Sequence, residues 1–458
     1  MLLRGATVIT MNARREVLVG ADVLVDGDRI AAIGPTGSLA DAARGHERLD
    51  CAGRLLIPGL INTHSHLFQT LLKGLGDDLV LSEWFRCMTG PSAAVLSAED
   101  CYVAARHGCA EAVTTGTTTM VDFMYAHPEP RCTDAVLAAF DEVGLRGVVA
   151  RGCITTGEEV GVPAALVEDL GAVLEDCRRL VGERNRPGAR VQVGLAPCTI
   201  WAADAATLRA TRALADETGA PITIHVSETD FEIEQSMLRY GMRDLPYLES
   251  IGFLGPDVLA VHCVQCDAAD VATLARHDVK VSHNPCSNLY LASGFAPVPE
   301  MLASGVTVGL ACDGPASNNN HNMVHALKFA ALMHKGFRRD AAVITAERVL
   351  ELATIEGARA IGLAHELGSV EVGKKADLVV LDADNLCMTP LHHPVSALVY
   401  SAIGDEARHV LVDGRLVLRD HQPTLVDTTA VRASSQACAD ALTVRAGTSA
   451  LRARPWIR

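Results

Sequence analysis

The stretch Pro58-Gly59-Leu60-Ile61-Asn62-Thr63-His64-Ser65-His66 decides how this chain is read. An apolar run ends in two histidines two positions apart. Side chains alternate along a strand with period two, so His64 and His66 project from the same face. Four more strand-like runs end in a comparable way, in Ile224-His225, Val261-His262, Ser282-His283 and Cys312-Asp313. In a closed parallel barrel the C-terminal ends of the strands meet at one mouth, and active sites are built there.

Working outward, single strands alternate with helical segments from about residue 55 to 365, the pattern of repeated βα units. The strand candidates are 55–62, 117–123, 147–152, 191–196, 221–226, 258–262, 279–283 and 306–312, and eight is the closing number of a TIM barrel. Helices are expected over 204–218 and 267–277, each with an aspartate at its start. Both ends of the chain have a different texture. Short apolar strands separated by Asp26-Gly27 near the start and Asp413-Gly414 near the end read as hairpins. The expected architecture is therefore an α/β protein: a (β/α)8 barrel over 55–365, a small β-sandwich built from 1–54 and 366–430, and a helical tail over 431–458.

Composition narrows the function classes. The 458 residues suit one large domain plus a smaller one, and 49% apolar with 21% charged residues supplies a large core. The 40 basic against 55 acidic residues give a net charge of −15 with no basic stripe, which argues against nucleic-acid binding. No apolar run reaches the ~18 residues needed to span a bilayer, so no membrane partner is expected. The N-terminus lacks the pattern of a signal peptide, which makes the cytoplasm the expected location. The fourteen cysteines are read as free and mostly buried, and the pair Cys263 and Cys266 has no second pair at zinc-ribbon spacing.

Imidazoles and a carboxylate on one rim form a mixed nitrogen and oxygen donor set suited to a divalent transition metal, zinc before ferrous iron. The expected ligands are His64, His66, His225 and Asp313. Glu228, three residues beyond His225, stands where a general acid/base would. His262 is placed to orient the nucleophile or polarise a substrate oxygen, and Asp313 to accept the proton of the attacking water. The chain has no HExxH, GxSxG or GxxxxGK[ST], and Pro197-Cys198 is not followed by the second cysteine of the PCxxC deaminase design.

These motifs, together with Ser282-His283-Asn284-Pro285, Asp313-Gly314-Pro315-Ala316-Ser317-Asn318-Asn319 and Gly368-Ser369-Val370-Glu371-Val372-Gly373-Lys374-Lys375-Ala376-Asp377, resemble the amidohydrolase superfamily, in particular its mononuclear aminohydrolase branch. The two-metal hydrolases of the dihydroorotase sort are also similar in outline, but the lysine they carry on strand four is absent from Val191-Gln192-Val193-Gly194-Leu195-Ala196. The resemblance implies one metal ion, a homo-oligomer, and hydrolytic removal of ammonia or an alkylamine from a ring carbon.

Two substrate readings follow from it. Gln69 with its HxHxxQ spacing, Arg151 and the run to Cys198 resemble 8-oxoguanine deaminases and hydroxyatrazine aminohydrolases, which implies a bare nucleobase, pterin or s-triazine. The segment through Glu83-Trp84 instead resembles S-adenosylhomocysteine and methylthioadenosine deaminases. Of their ribose-holding residues the first arginine corresponds to Arg151, but the glutamate and histidine correspond to Ala93 and Leu195 and the second arginine has no counterpart, so the bare heterocycle is the leading expectation and the adenosine derivative the alternative. Gln69, Trp84, Arg151 and His283 are the candidate substrate contacts. For Arg151 a structural ion pair, and for Trp84 a plain cap on the barrel mouth, stand as alternatives. A metal-free barrel scaffold is the alternative of another class.

Overall fold

The computed structural model describes residues 1–453. Eight parallel strands, Leu60–Ser65, Thr117–Met124, Arg146–Cys153, Val191–Pro197, Ile222–Val226, Val258–His262, Lys280–His283 and Val308–Leu310, follow one another in chain order around a barrel. First and last strands meet through individual hydrogen bonds. Asp313 N–H donates to the His64 carbonyl at 3.2 Å and Thr63 Oγ1 to the Leu310 carbonyl at 3.1 Å. That approach requires Gly309, because a Cβ there would stand 2.5 Å from Thr63 Cγ2.

The helices cap as their sequences dictate. Ala205–Thr218 starts on Asp204, whose carboxylate accepts from Thr207 N–H, and Ala268–Arg276 starts on Asp267 in a reciprocal box with Asp270. These helices sheathe strands that are buried on both faces, which is why the barrel strands read as near-continuous apolar runs.

The run expected as one strand over 55–62 divides at Gly59. Leu55–Pro58 pairs antiparallel with Leu378–Leu381 and parallel with Leu2–Ile9, whereas Leu60–Ser65 enters the barrel. Pro58 has no N–H for a continuing ladder, and a Cβ at Gly59 would lie 1.9 Å from Thr118 Oγ1, so the chain turns there. Both ends of the chain build one continuous nine-stranded sheet. Its two arms share an inner core, with Leu3, Val8 and Val23 from one and Leu378, Val380 and Leu411 from the other.

Helix Thr428–Arg445, followed by a 3-10 turn over Ser449–Arg452, joins the helix Ala98–Thr114 through Arg445 and Asp100. Part of the tail expected to be helical, 454–458, lies outside the described residues. All fourteen cysteines are free, with Cys109, Cys153, Cys263 and Cys312 buried. Among the described residues no helix is long and apolar enough to cross a membrane.

Candidate active site

The barrel mouth assembles five strand-end side chains that lie far apart in the chain. Donor atoms of His64, His66 and His225 lie within 4.8 Å of one another, as do those of His64, His262 and Asp313. His66 Nε2 is 3.2 Å from His225 Nε2, and Asp313 Oδ1 is 3.2 Å from His64 Nε2 and 3.6 Å from His66 Nε2. Backbone carbonyls fix two of the rings: His66 Nδ1 lies 2.7 Å from the Phe123 oxygen and His225 Nδ1 2.7 Å from that of Cys198. With those nitrogens donating, both Nε2 lone pairs face the shared centre.

Electrostatics favour ligation. Burial lowers His64 to about 4 and His66 to about 3, and holds His225 well below the ordinary histidine value. These rings are therefore neutral donors at pH 7. Burial alone would raise Asp313, but its contacts with His64 and the neighbouring imidazoles hold it well below the usual carboxylate range. Nδ1 of the fully buried His64 has no hydrogen-bond partner, and its Nε2 meets only the Asp313 carboxylate. Such an imidazole amid two more imidazoles and a carboxylate is a donor set that fits a divalent cation.

Beside this cluster stands a proton-handling pair. Glu228 Oε2 lies 3.4 Å from His262 Nε2, and Ser293 Oγ donates to Glu228 Oε1 at 3.0 Å. His262 Nδ1 meets Asn288 Oδ1 at 2.9 Å. Burial pushes the Glu228 carboxyl up. The same burial works against His262, yet Glu228 and Asp313 raise it overall. His262 and Asp313 both take left-handed backbone, with φ of 72° and 64°. Such conformations cost about 1–3 kcal/mol each and concentrate at functional sites.

A cavity of about 580 Å³ opens over these groups, walled by His66, His225, Glu228, His262 and Asp313 at its buried end. Gln69 and Trp84 line it. Gln69 Oε1 has no partner, its Nε2 reaches Tyr125 Oη at 3.5 Å, and Trp84 Nε1 donates to the Ala316 carbonyl at 2.9 Å. Arg151 and His283 stand off the cavity wall. Arg151 is engaged by Glu168 and Asp176, the ion-pair alternative, and His283 Nε2 lies 3.3 Å from His334 Nε2 on the helix Met323–Arg338. Ala93 and Leu195 are buried in the core.

Sequence reading missed Ser293, Tyr125 and the outer wall formed by Phe85, Trp201 and Phe231. It also missed the braces behind the site. Glu232 accepts from Glu228 N–H at 2.5 Å and from Thr199 Oγ1 at 3.0 Å, and Asp244 accepts from Ser227 N–H at 2.9 Å. The position of Glu232, four residues after Glu228 at a helix start, was the one available signal.

A parallel barrel whose mouth gathers imidazoles, an aspartate and a glutamate around one centre defines an enzyme of the hydrolase class. The profile of the amidohydrolase family matches residues 55–417, and the chain belongs to that family. It is 39% identical over 422 residues to a 5'-deoxyadenosine deaminase of Methanothermobacter thermautotrophicus, covering 92% of this chain and 94% of that one. A 5-methylthioadenosine/S-adenosylhomocysteine deaminase of Symbiobacterium thermophilum is 36% identical with the same coverage of both chains. Among solved structures, an adenosine deaminase from Xanthomonas campestris with bound zinc superposes with a TM-score of 0.89 at 31% identity, over 97% of this chain and 98% of that one. Atrazine chlorohydrolase from Arthrobacter aurescens complexed with zinc does so with a TM-score of 0.89 at 26% identity, over 96% and 99%.

Proposed function

We propose that this chain is a zinc-dependent hydrolytic deaminase of an adenine ring carried on a ribose, releasing ammonia and leaving the corresponding 6-oxopurine. The carrying observation is the cavity: its roughly 580 Å³ extends from the buried His/Asp cluster to a half-exposed aromatic wall, more space than a bare base fills. Likeness over nine-tenths of the chain to deaminases of adenosine derivatives supports the same reading. The bare heterocycle stays as the second reading, because Gln69 offers an unpartnered amide oxygen beside His66 and because Arg151, Ala93 and Leu195 provide no ribose anchor on the cavity wall.

In this reading His64, His66, His225 and Asp313 would hold the cation. When bound, a divalent ion supplies Lewis-acid polarisation of a water oxygen. The chain's own groups handle the protons. Asp313, kept ionised and held by Ser317 Oγ at 3.2 Å from its Oδ2, accepts a proton from the attacking water. His262 Nε2, between Glu228 and Asp313, orients that water. Glu228, whose carboxyl burial pushes up from its ordinary value, delivers a proton to the ring nitrogen beside the amine-bearing carbon. The water oxygen adds to that carbon, Asp313 passes its proton to the amine, which departs as ammonia, and the hydroxyl proton of the adduct returns to Glu228 as the 6-oxo group forms. The test is an ammonia-release screen of zinc-loaded enzyme on adenosine derivatives and on free purines, pterins and triazines. Turnover of the free bases alone would replace this reading with the second.

A further inference from the structure

Glu228 can deliver a proton only from a fixed position, and the chain fixes its backbone in an uncommon way. Strand Ile222–Val226 ends in a sharp turn at Ser227, whose φ of 50° is left-handed. Carboxylates hold both amides of that turn: Asp244 accepts from Ser227 N–H at 2.9 Å and Glu232 Oε2 from Glu228 N–H at 2.5 Å. The other oxygen of Glu232, Oε1, belongs to the loop that follows strand Val191–Pro197, accepting from Thr199 Oγ1 at 3.0 Å and from Trp201 Nε1 at 3.4 Å. One buried side chain therefore ties two active-site loops together beside the acid.

Local helix chemistry would send Glu232 elsewhere. Thr229-Asp230-Phe231-Glu232 has the spacing of a capping box, in which the threonine hydroxyl takes the N–H three residues on and the glutamate turns back to the threonine N–H. At the start of the helix Asp230–Tyr240 the threonine caps nothing, its Oγ1 has no partner, and the glutamate reaches one residue further, to Glu228 N–H. The reciprocal cap is given up for a contact that serves Glu228. Burial, with the carboxyls of Asp244 and Glu228 nearby, pushes Glu232 up to about 7. Each of its three hydrogen-bond partners donates, so the ionised form is the one that suits them, and a glutamine here would turn an amide N–H onto one of the donors. Ser293 Oγ holds the far end of Glu228 at 3.0 Å.

We infer that Glu232 is a positioning residue for the reaction: by bridging the loops after the fourth and fifth barrel strands it holds Glu228 where its carboxyl reaches the substrate ring. The inference rests on the reading of Glu228 as the proton donor of a hydrolytic deaminase. It is tested by a double-mutant cycle at about pH 8 on zinc-loaded enzyme, with the substrate that the ammonia-release screen yields. Glu232→Gln alone is expected to lower kcat at least tenfold, with KM changed less than threefold and zinc content unchanged. In the Glu228→Gln background the same change is expected to cost less than twofold, because no proton remains to be aimed. Thr199→Val removes a donor from the other end of the bridge while keeping the side chain's shape. It is expected to repeat the pattern at about threefold, and it decides the matter should Glu232→Gln not fold. Equal losses in both backgrounds, a loss confined to KM, or an unchanged kcat overturns the inference and leaves the deaminase reading standing. Full activity of Glu228→Gln itself removes Glu228 as the donor, and the inference with it.

Discussion

Arg151 and Glu168 form a forked ion pair, with Nη1 and Nη2 donating to Oε2 and Oε1 at 2.8 and 2.7 Å. The pair ties the end of the third barrel strand to the irregular segment that carries Ile154 and Val160 onto the cavity wall. Asp176 and His127 complete the set, at 3.1 Å from Arg151 Nε and 3.2 Å from Nη1. Removing one partner of a buried pair leaves the other uncompensated, which costs about 3–5 kcal/mol. Glu168→Ala is expected to cost the lower part of that range, since Asp176 remains, and to lower activity by loosening the wall while leaving the zinc site intact. Thermal melting and metal content of the purified variant check this.

Glu228 is the group on which proton delivery turns. Glu228→Gln keeps the shape, so Ser293 Oγ retains an acceptor, but it removes the transferable proton. General acid/base groups contribute about 10²–10⁴-fold, and kcat is expected to fall within that range with zinc stoichiometry unchanged. Single-turnover ammonia release alongside metal analysis gives both readouts.

Chelation should act on stability as well as on activity. A ligand that binds only the folded state stabilises it by about 2.7 kcal/mol at a concentration one hundred times its Kd. With His64 Nδ1 unpartnered and its Nε2 facing only Asp313 at 3.2 Å, the stripped protein keeps a buried imidazole that zinc would satisfy. The melting temperature is expected to drop on treatment with a chelator and to recover, together with turnover, on adding zinc. Asp313→Asn is expected to abolish the recovery.

Much of this site was legible because one geometric rule generated it. Period-two alternation and the common mouth of a parallel barrel place His64, His66, His225, His262 and Asp313 together from strand ends alone. His283 carries the same strand-end signal, yet its ring meets His334 of the helix Met323–Arg338, a contact between elements that no local pattern records. Arg151 was ambiguous because its partner Glu168 comes from a segment without periodicity. Ser293 follows Ala292, whose φ of 55° makes the turn that aims the hydroxyl at Glu228, and nothing in Leu291-Ala292-Ser293 announces it. The split at Gly59 escaped because Leu55 to Asn62 is apolar almost throughout, so period and composition are the same in both sheets it serves.

Asp122 gives the fold a dependence on pH that is separate from catalysis. Burial pushes its carboxyl from 3.8 to about 7; Oδ1 accepts from Leu67 N–H at 2.6 Å and Oδ2 has no partner. The folded state thus holds this proton more tightly than the unfolded chain. Its contribution is complete below about pH 4 and is lost as pH rises through about 7, with a ceiling near 1.4 kcal/mol per pH unit. Asp122→Asn keeps the acceptor for Leu67 and cannot ionise. Relative to the parent, the variant is expected to gain stability steadily from about pH 5 to pH 7, measured by denaturant unfolding with zinc saturating both proteins.

The barrel and the terminal sheet are joined by a buried charge cluster whose removal should separate a structural from a catalytic effect. Arg146, near the start of the third barrel strand, donates to Asp377 Oδ2 and Oδ1 at 2.7 and 3.1 Å and also pairs with Asp413. Asp377 in turn accepts from Asp413 N–H at 2.9 Å, so one carboxylate fixes both the guanidinium and the hairpin turn. Arg146 lies at the end of its strand opposite Arg151 and the catalytic mouth, so truncating it leaves the metal ligands in place. Arg146→Ala strands Asp377 without a cation, although Asp413 keeps Lys375 at 3.3 Å, and is expected to cost about 3–5 kcal/mol. Arg146→Met with Asp377→Leu removes a donor and its principal acceptor together and should cost less than the single change, because fewer charges are left unpaired. Both variants are expected to keep kcat/KM within about threefold of the parent below their melting temperatures. If the double variant proves less stable than Arg146→Ala, the cluster contributes through attraction rather than through compensated burial.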